Sequence, residues 1–131
     1  TMQHDPRYGD VVREVRDFLL DRVAAAREAG VPAASIAIDP GIGFGKTTEH
    51  NLALLAGTAQ LVGLGVPVLI GASRKRFIGA VTGQTIPAER VAGTIASCLI
   101  CFEAGATIFR VHDVRELRQA LDVVAAIRAA R

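Results

Sequence analysis

Val66-Pro-Val-Leu-Ile-Gly-Ala-Ser-Arg-Lys75 changes character halfway along. Val66 to Ile70 is a short apolar run entered through Gly65 and left through Gly71, the signature of a buried strand, and Ser73, Arg74 and Lys75 follow as polar residues leading into a short basic helix from about Arg74. The pattern recurs on both sides. Ser35 to Ile38 is apolar and runs into Asp39-Pro40-Gly41, and Thr107 to Val111 runs into His112 and Asp113. Helical periodicity fills the intervals. Val11, Val12, Val15, Phe18, Leu19 and Val23 form a stripe within Asp10 to Ala29, stopped by Gly30. A second helix starts with Thr47 or Thr48 as N-cap and runs to about Leu61. Gly83 to Ile86 reads as a loop, and Pro87 opens a helix over Ala88 to Ala104. Asp113 with Glu116 spells a capping box for a last helix carrying Val114, Leu117, Leu121 and Val124 on one side.

The resulting order, α-β-α-β-α-β-α, implies an α/β fold with a parallel sheet, right-handed crossovers and helices covering the sheet. Composition agrees with one globular unit spanning 1–131: half of the 131 residues are hydrophobic and 21% are charged. The net charge of +2 comes from basic residues mixed with acids, and with one Tyr and five Phe the chain lacks the basic, aromatic-rich face of a nucleic-acid binder. No apolar stretch approaches the roughly 20 residues of a membrane span. Thr1 to Arg7 has no apolar signal core, which points to the cytoplasm. Cys98 and Cys101 form a C-x-x-C, but without a second Cys or Cys/His pair at ligand spacing they read as buried thiols rather than a zinc or redox site.

The chemistry concentrates where the strands end. Asp39 follows the first strand, Ser73, Arg74 and Lys75 the second, and Arg110, His112 and Asp113 lie at the third; this edge is where parallel α/β proteins bind ligands. The loop Asp39-Pro-Gly-Ile-Gly-Phe-Gly-Lys-Thr47 looks like a phosphate loop but fails both tests of spacing. A Walker motif needs glycine where Pro40 stands, and in a dinucleotide fingerprint the third glycine would come one residue later than Gly45. Its glycines suit backbone approach to a flat ligand, with Phe44 offering an aromatic face. Taken alone, Phe44 reads equally well as a core residue, and His112 as a structural histidine.

Together, Asp39-Pro-Gly-Ile-Gly-Phe-Gly-Lys46 with His50-Asn51, Gly71-Ala-Ser-Arg-Lys75 with Gly79, and Arg110-Val-His-Asp-Val114 resemble the dihydropteroate synthase family of pterin-binding TIM barrels. Thr1-Met2-Gln3 looks like the loop before the fifth helix of that barrel. The resemblance implies that this segment is the C-terminal portion of a (β/α)8 TIM barrel, strands six to eight with flanking helices, and that the rest of the barrel is elsewhere. The activity implied is folate biosynthesis: condensation of 6-hydroxymethyl-7,8-dihydropterin diphosphate with p-aminobenzoate, the step that sulfonamides target.

By the same resemblance Asp39 anchors the pterin, and Lys75 bonds the pterin ring and borders the aminobenzoate site. Gly71 leaves room for the ring, Phe44 packs against the aminobenzoate, and Arg110 lies on the pterin face and meets the diphosphate together with His112. The helix N-terminus after Ser73 faces the aminobenzoate carboxylate. Arg76 stands where some members carry serine. Lys75, Arg110 and His112 are the catalytic candidates. No metal ligand is expected in this segment; Mg2+ would be met through the diphosphate and the other half of the barrel. The partners implied are a homodimer mate or the N-terminal half-barrel. A methyltetrahydrofolate-dependent methyltransferase would share the barrel and the acid, but a methyl donor brings no diphosphate for Ser73-Arg74-Lys75 and Arg110-Val-His112 to meet; a noncatalytic half-barrel is the other alternative. The segment alone is expected to give negligible turnover, checked by assaying dihydropteroate formation with and without the N-terminal half.

Overall fold

The computed structural model describes residues 8–131, so Thr1-Met2-Gln3 and the polar opening lie outside the described residues. Helix α1 is Val11–Glu28, with Asp10 capping the Arg13 amide at 3.1 Å; it buries Val11, Val15 and Leu19 and ends at left-handed Gly30. Phe18 points out of the stripe and is 62% exposed. The second expected helix is divided. Helix α2 is Thr48–Ala56 and α3 is Thr58–Val62, broken at Gly57, where a Cβ would sit 2.8 Å from a Val12 methyl; α1 packs that closely against the junction.

Strands β1, Leu69–Ile70, and β2, Ile108–Phe109, pair in parallel, Leu69 with Ile108 and Ile70 with Phe109. The strand expected at Ser35 to Ile38 is reduced to one parallel bridge, Ile38 to Val68, preceded by a 3-10 turn at Ala33–Ser35. Prolines explain its shortness. Ile38 donates to the Pro67 carbonyl at 2.9 Å and accepts from Leu69 at 2.7 Å. The rung before would need a Pro67 N–H and the rung after a Pro40 N–H, and neither exists.

After β1, helix α4 is Arg76–Thr82, starting two residues later than expected, because Arg74 takes a left-handed φ of 58°. Pro87–Glu89 forms a 3-10 turn instead of the first helical turn, and α5 is Val91–Glu103. Helix α6 is Val114–Ala129, with Leu117 buried and Val114 exposed. Its capping box does not form, since the Asp113 carboxylate makes no cap bond and instead holds Arg74.

The helices cover one face of the ladder, not both. Ile38, Val68 and Ile70 are buried in the main core with Ile42, Leu54 and Leu61, and Phe109 packs against it, whereas Ala37 and Ile108 on the other face are exposed. Cys98 and Cys101 are free buried thiols, as the sequence suggests; burial pushes Cys98 up to about 12, with Cys101 adding to the effect. No helix among the described residues is long and apolar enough to cross a membrane. Leu61 is fully buried, so Leu61→Ala should cost roughly 2–5 kcal/mol in urea unfolding, the usual range for an uncollapsed core cavity.

Candidate functional site

The parallel ladder sets Asp39, Gly71 and Arg110 side by side, because each follows the last paired residue of its strand. Arg110 crosses Gly71 to reach the Asp39 carboxylate at 3.5 Å. A Cβ on Gly71 would overlap the Arg110 guanidinium, so the missing side chain makes room for the arginine. The Asp39 carboxylate also accepts from the Gly41 amide at 2.8 Å, which aims it while leaving it 36% exposed.

The glycine loop folds over itself through its own polar groups. Lys46 donates to the Gly41 and Phe44 carbonyls, both at 2.9 Å. Buried Asn51, from the first turn of α2, accepts from the Gly43 amide at 2.8 Å. Thr47 and His50 cap α2 reciprocally, each side chain accepting from the other's amide at 3.1 Å, and the His50 ring stands edge-on to Tyr8. Phe44 is therefore not a core residue: it is half exposed, with the Lys75 ammonium 4.6 Å from its ring centre.

Lys75 donates to the Ile42 carbonyl, so the loops after the first and second strand ends meet at this side chain. Burial lowers its pKa from the ordinary lysine value; Arg110 and Lys46 push the same way and Asp39 opposes them. Lys46 is lowered by burial too, with Asp39 opposing.

Ser73 and His112 join the second and third strand ends. The hydroxyl lies 2.6 Å from His112 Nδ1 and accepts from the His112 amide at 3.0 Å. Beside them Arg74 clasps Asp113 through two bonds of 2.9 and 3.2 Å. The expected residues thus converge: Asp39, Phe44, Gly71, Ser73, Lys75, Arg110 and His112 occupy one rim. Arg76 is exposed on the wall of a cleft of about 1200 Å³, together with Phe44, Lys75 and Arg90. A second cleft of about 400 Å³ holds Asp39 and adjoins the first at Phe44 and Lys46. Sequence reading assigned no role to Arg90 or Thr94, although their i, i+4 spacing put them on one helix face. The Arg90 guanidinium donates to the carbonyls of Gln84, Arg74 and Thr85, and the Thr94 hydroxyl accepts from the Arg74 amide. Those partners are backbone groups brought near by folding, which no residue-type pattern announces.

A parallel α/β segment with an acid, a lysine and an arginine gathered where its strands end defines a ligand-binding protein of the barrel or open-sheet class. The family described as "Pterin binding enzyme" matches residues 1–112, and the chain belongs to it. Its relatives include the dihydropteroate synthase of Synechocystis, 46% identical over 127 residues that make up 97% of this chain and 44% of the relative. The crystal structure of the Stenotrophomonas maltophilia dihydropteroate synthase superposes with a TM-score of 0.97 at 49% identity, covering all of this chain and 49% of that one. The Xanthomonas albilineans enzyme, solved in complex with 7,8-dihydropteroate, superposes with a TM-score of 0.93 at 50% identity, covering 95% of this chain and 47% of that one. The structural relatives are TIM barrels, and the chain spans about half the length of the relatives it matches.

The Arg74 guanidinium holds the Asp113 carboxyl below its ordinary range. A depressed carboxyl stabilises the fold above its unfolded pKa, near 3.9 for aspartate, and that contribution disappears as pH falls through the folded value. Asp113→Asn should therefore be less stable than the parent at neutral pH, and the gap should close under acid, as followed by chemical denaturation from pH 7 to pH 2.

Proposed function

We propose that this chain is the C-terminal part of a dihydropteroate synthase, contributing strands six to eight of a (β/α)8 barrel, and that its rim binds both substrates of the condensation. The observation that carries this is the meeting of Asp39, Lys75 and Arg110 across 71 residues of sequence, in a chain whose relatives at 46–50% identity are dihydropteroate synthases. Asp39, aimed by Gly41 and partly exposed, accepts paired N–H bonds from the 2-amino and N3 edge of the pterin. Arg110 is 59% exposed and only loosely paired, so its guanidinium is available to lie on the pterin face and meet the diphosphate with His112. The adjoining clefts, separated by Phe44 and Lys46, suit a two-substrate reaction: the pterin on the Asp39 side and p-aminobenzoate on the Phe44 and Lys75 side.

In the reaction the bond between the pterin methylene carbon and the diphosphate oxygen breaks with its electron pair leaving on diphosphate. The arylamine nitrogen attacks that carbon and then gives up a proton, which the released diphosphate or water takes up. Arg110 and His112 stabilise the departing charge, and Lys75 holds the pterin at its ring edge. Mg2+ would be met through the substrate diphosphate, where it would neutralise charge on the leaving group, with its protein ligands supplied by the other half of the barrel. The exposed face and edges of the ladder suit completion by the N-terminal half of the barrel. An apolar groove between α2, α4 and α5, with Leu52, Val81 and Ile100 exposed along it, suits a homodimer contact. A biosynthetic role of this kind belongs in the cytoplasm.

In the full-length enzyme, Asp39→Asn should lower kcat/KM for the pterin diphosphate by roughly 10- to 100-fold, the effect of weakening a charge-assisted bonded pair. Steady-state kinetics measure it, and a variant with unimpaired kinetics would remove the anchor from this reading. Saturation by methyltetrahydrofolate in place of dihydropterin diphosphate would overturn the reaction class.

A further inference from the structure

Among the described residues Arg74 is the one non-glycine with left-handed backbone, a conformation disfavoured by any Cβ. Its turn separates Ser73, which faces His112, from Lys75, which faces Phe44 and Ile42. Something must hold that turn, and both backbone groups of Arg74 are held from the start of α5 and Arg90, the residue that precedes it. The Arg74 amide donates to the buried Thr94 hydroxyl at 2.9 Å, and the Arg74 carbonyl accepts from Arg90 Nη1 at 2.9 Å. Arg90 Nε and Nη2 donate to the carbonyls of Gln84 at 2.9 Å and Thr85 at 3.2 Å, tying the loop after α4 to the same point. Gly79 of α4 makes this possible, because a Cβ there would lie 2.6 Å from Arg90 Nη2 and 2.8 Å from the Gln84 carbonyl.

We propose that Arg90, assisted by Thr94, is a positioning residue: it clamps the left-handed turn at Arg74 and thereby sets where the Lys75 ammonium sits. The clamp is rigid because a planar guanidinium presents its donors to three carbonyls in a fixed fork, whereas the donors of a lysine rotate on a flexible stem. The Arg74–Asp113 clasp secures the same turn from the third strand end, so side chain and backbone are fixed from opposite sides. A lysine so placed keeps its half-buried seat over the Phe44 ring, within reach of the Ile42 carbonyl that accepts from its ammonium.

The inference rests on the assignment of Lys75 to the substrate, but its test does not require turnover. The chain contains two lysines, Lys46 and Lys75, so labelled side-chain amines give a probe and an internal reference. The charged groups acting on Lys75 are Arg110, Asp39 and Lys46, none of which Arg90→Ala alters. In a titration followed by NMR, Arg90→Ala should move Lys75 up toward the ordinary lysine value as it leaves its buried seat, while Lys46, coupled to it only by their mutual repulsion, moves much less. If Lys75 does not move, or if both lysines move together, the positioning role is overturned. Should Arg90→Ala fail to fold, as judged by circular dichroism, Thr94→Val carries the same test with the same two outcomes. In the full-length enzyme Arg90→Ala should lower kcat/KM by roughly 100-fold, the cost of misplacing a group by about 1 Å. A shifted Lys75 with unchanged turnover would uphold the positioning role and count against the assignment of Lys75 to the substrate.

Discussion

The parallel pairing of Leu69 with Ile108 and Ile70 with Phe109, extended by the single bridge from Ile38 to Val68, sets the position of every candidate functional group. Adjacent parallel strands lie about 4.8 Å apart and run in the same direction, so the residues that leave them emerge side by side. Asp39, Gly71 and Arg110 are those residues. Arg110 can lie across to Asp39 because the strand between them ends in glycine. A shift of register by one residue would turn Arg110 to the opposite face and leave Asp39 facing nothing.

Two aspartates share the rim with several cations, and geometry gives them different tasks. Asp113 is largely shielded and bonded twice to Arg74, which commits it to holding the turn between the second and third strand ends. Asp39 is more exposed, bonded firmly to one amide and loosely to Arg110. The first is structural and the second is open to exchange partners with a ligand. Lys46 is drawn into the glycine loop by the Gly41 and Phe44 carbonyls, whereas Lys75 reaches between loops. The outcome is an edge with excess positive charge around one available carboxylate.

Where the helices part from expectation, the cause is a group distant in sequence. The spacing of Asp113 and Glu116 is a sound capping signal, but Arg74, 39 residues away, claims the carboxylate with two charge-assisted bonds. The second helix divides at Gly57 because α1 presses against it, and the short basic helix starts late because α5 holds Arg74 in a left-handed turn. The first strand shrinks to one bridge for a reason that was legible, since Pro40 and Pro67 both lack the N–H that a further rung requires.

From the residues alone came the alternation of helices and apolar runs, the parallel α/β class, the polar residues that close each run, the identity of the buried thiols and the resemblance carried by the three rim motifs. These depend on periodicity and local chemistry, which are properties of neighbours along the chain. Only the tertiary structure decided that Phe44 is exposed beneath Lys75, that Gly71 makes room for Arg110, and that Arg90 and Thr94 hold the turn carrying Lys75. Each of these is a contact between segments far apart in sequence, most of them made to backbone carbonyls or to empty space. Neither leaves a mark on residue type, so neither can be read before the chain is folded.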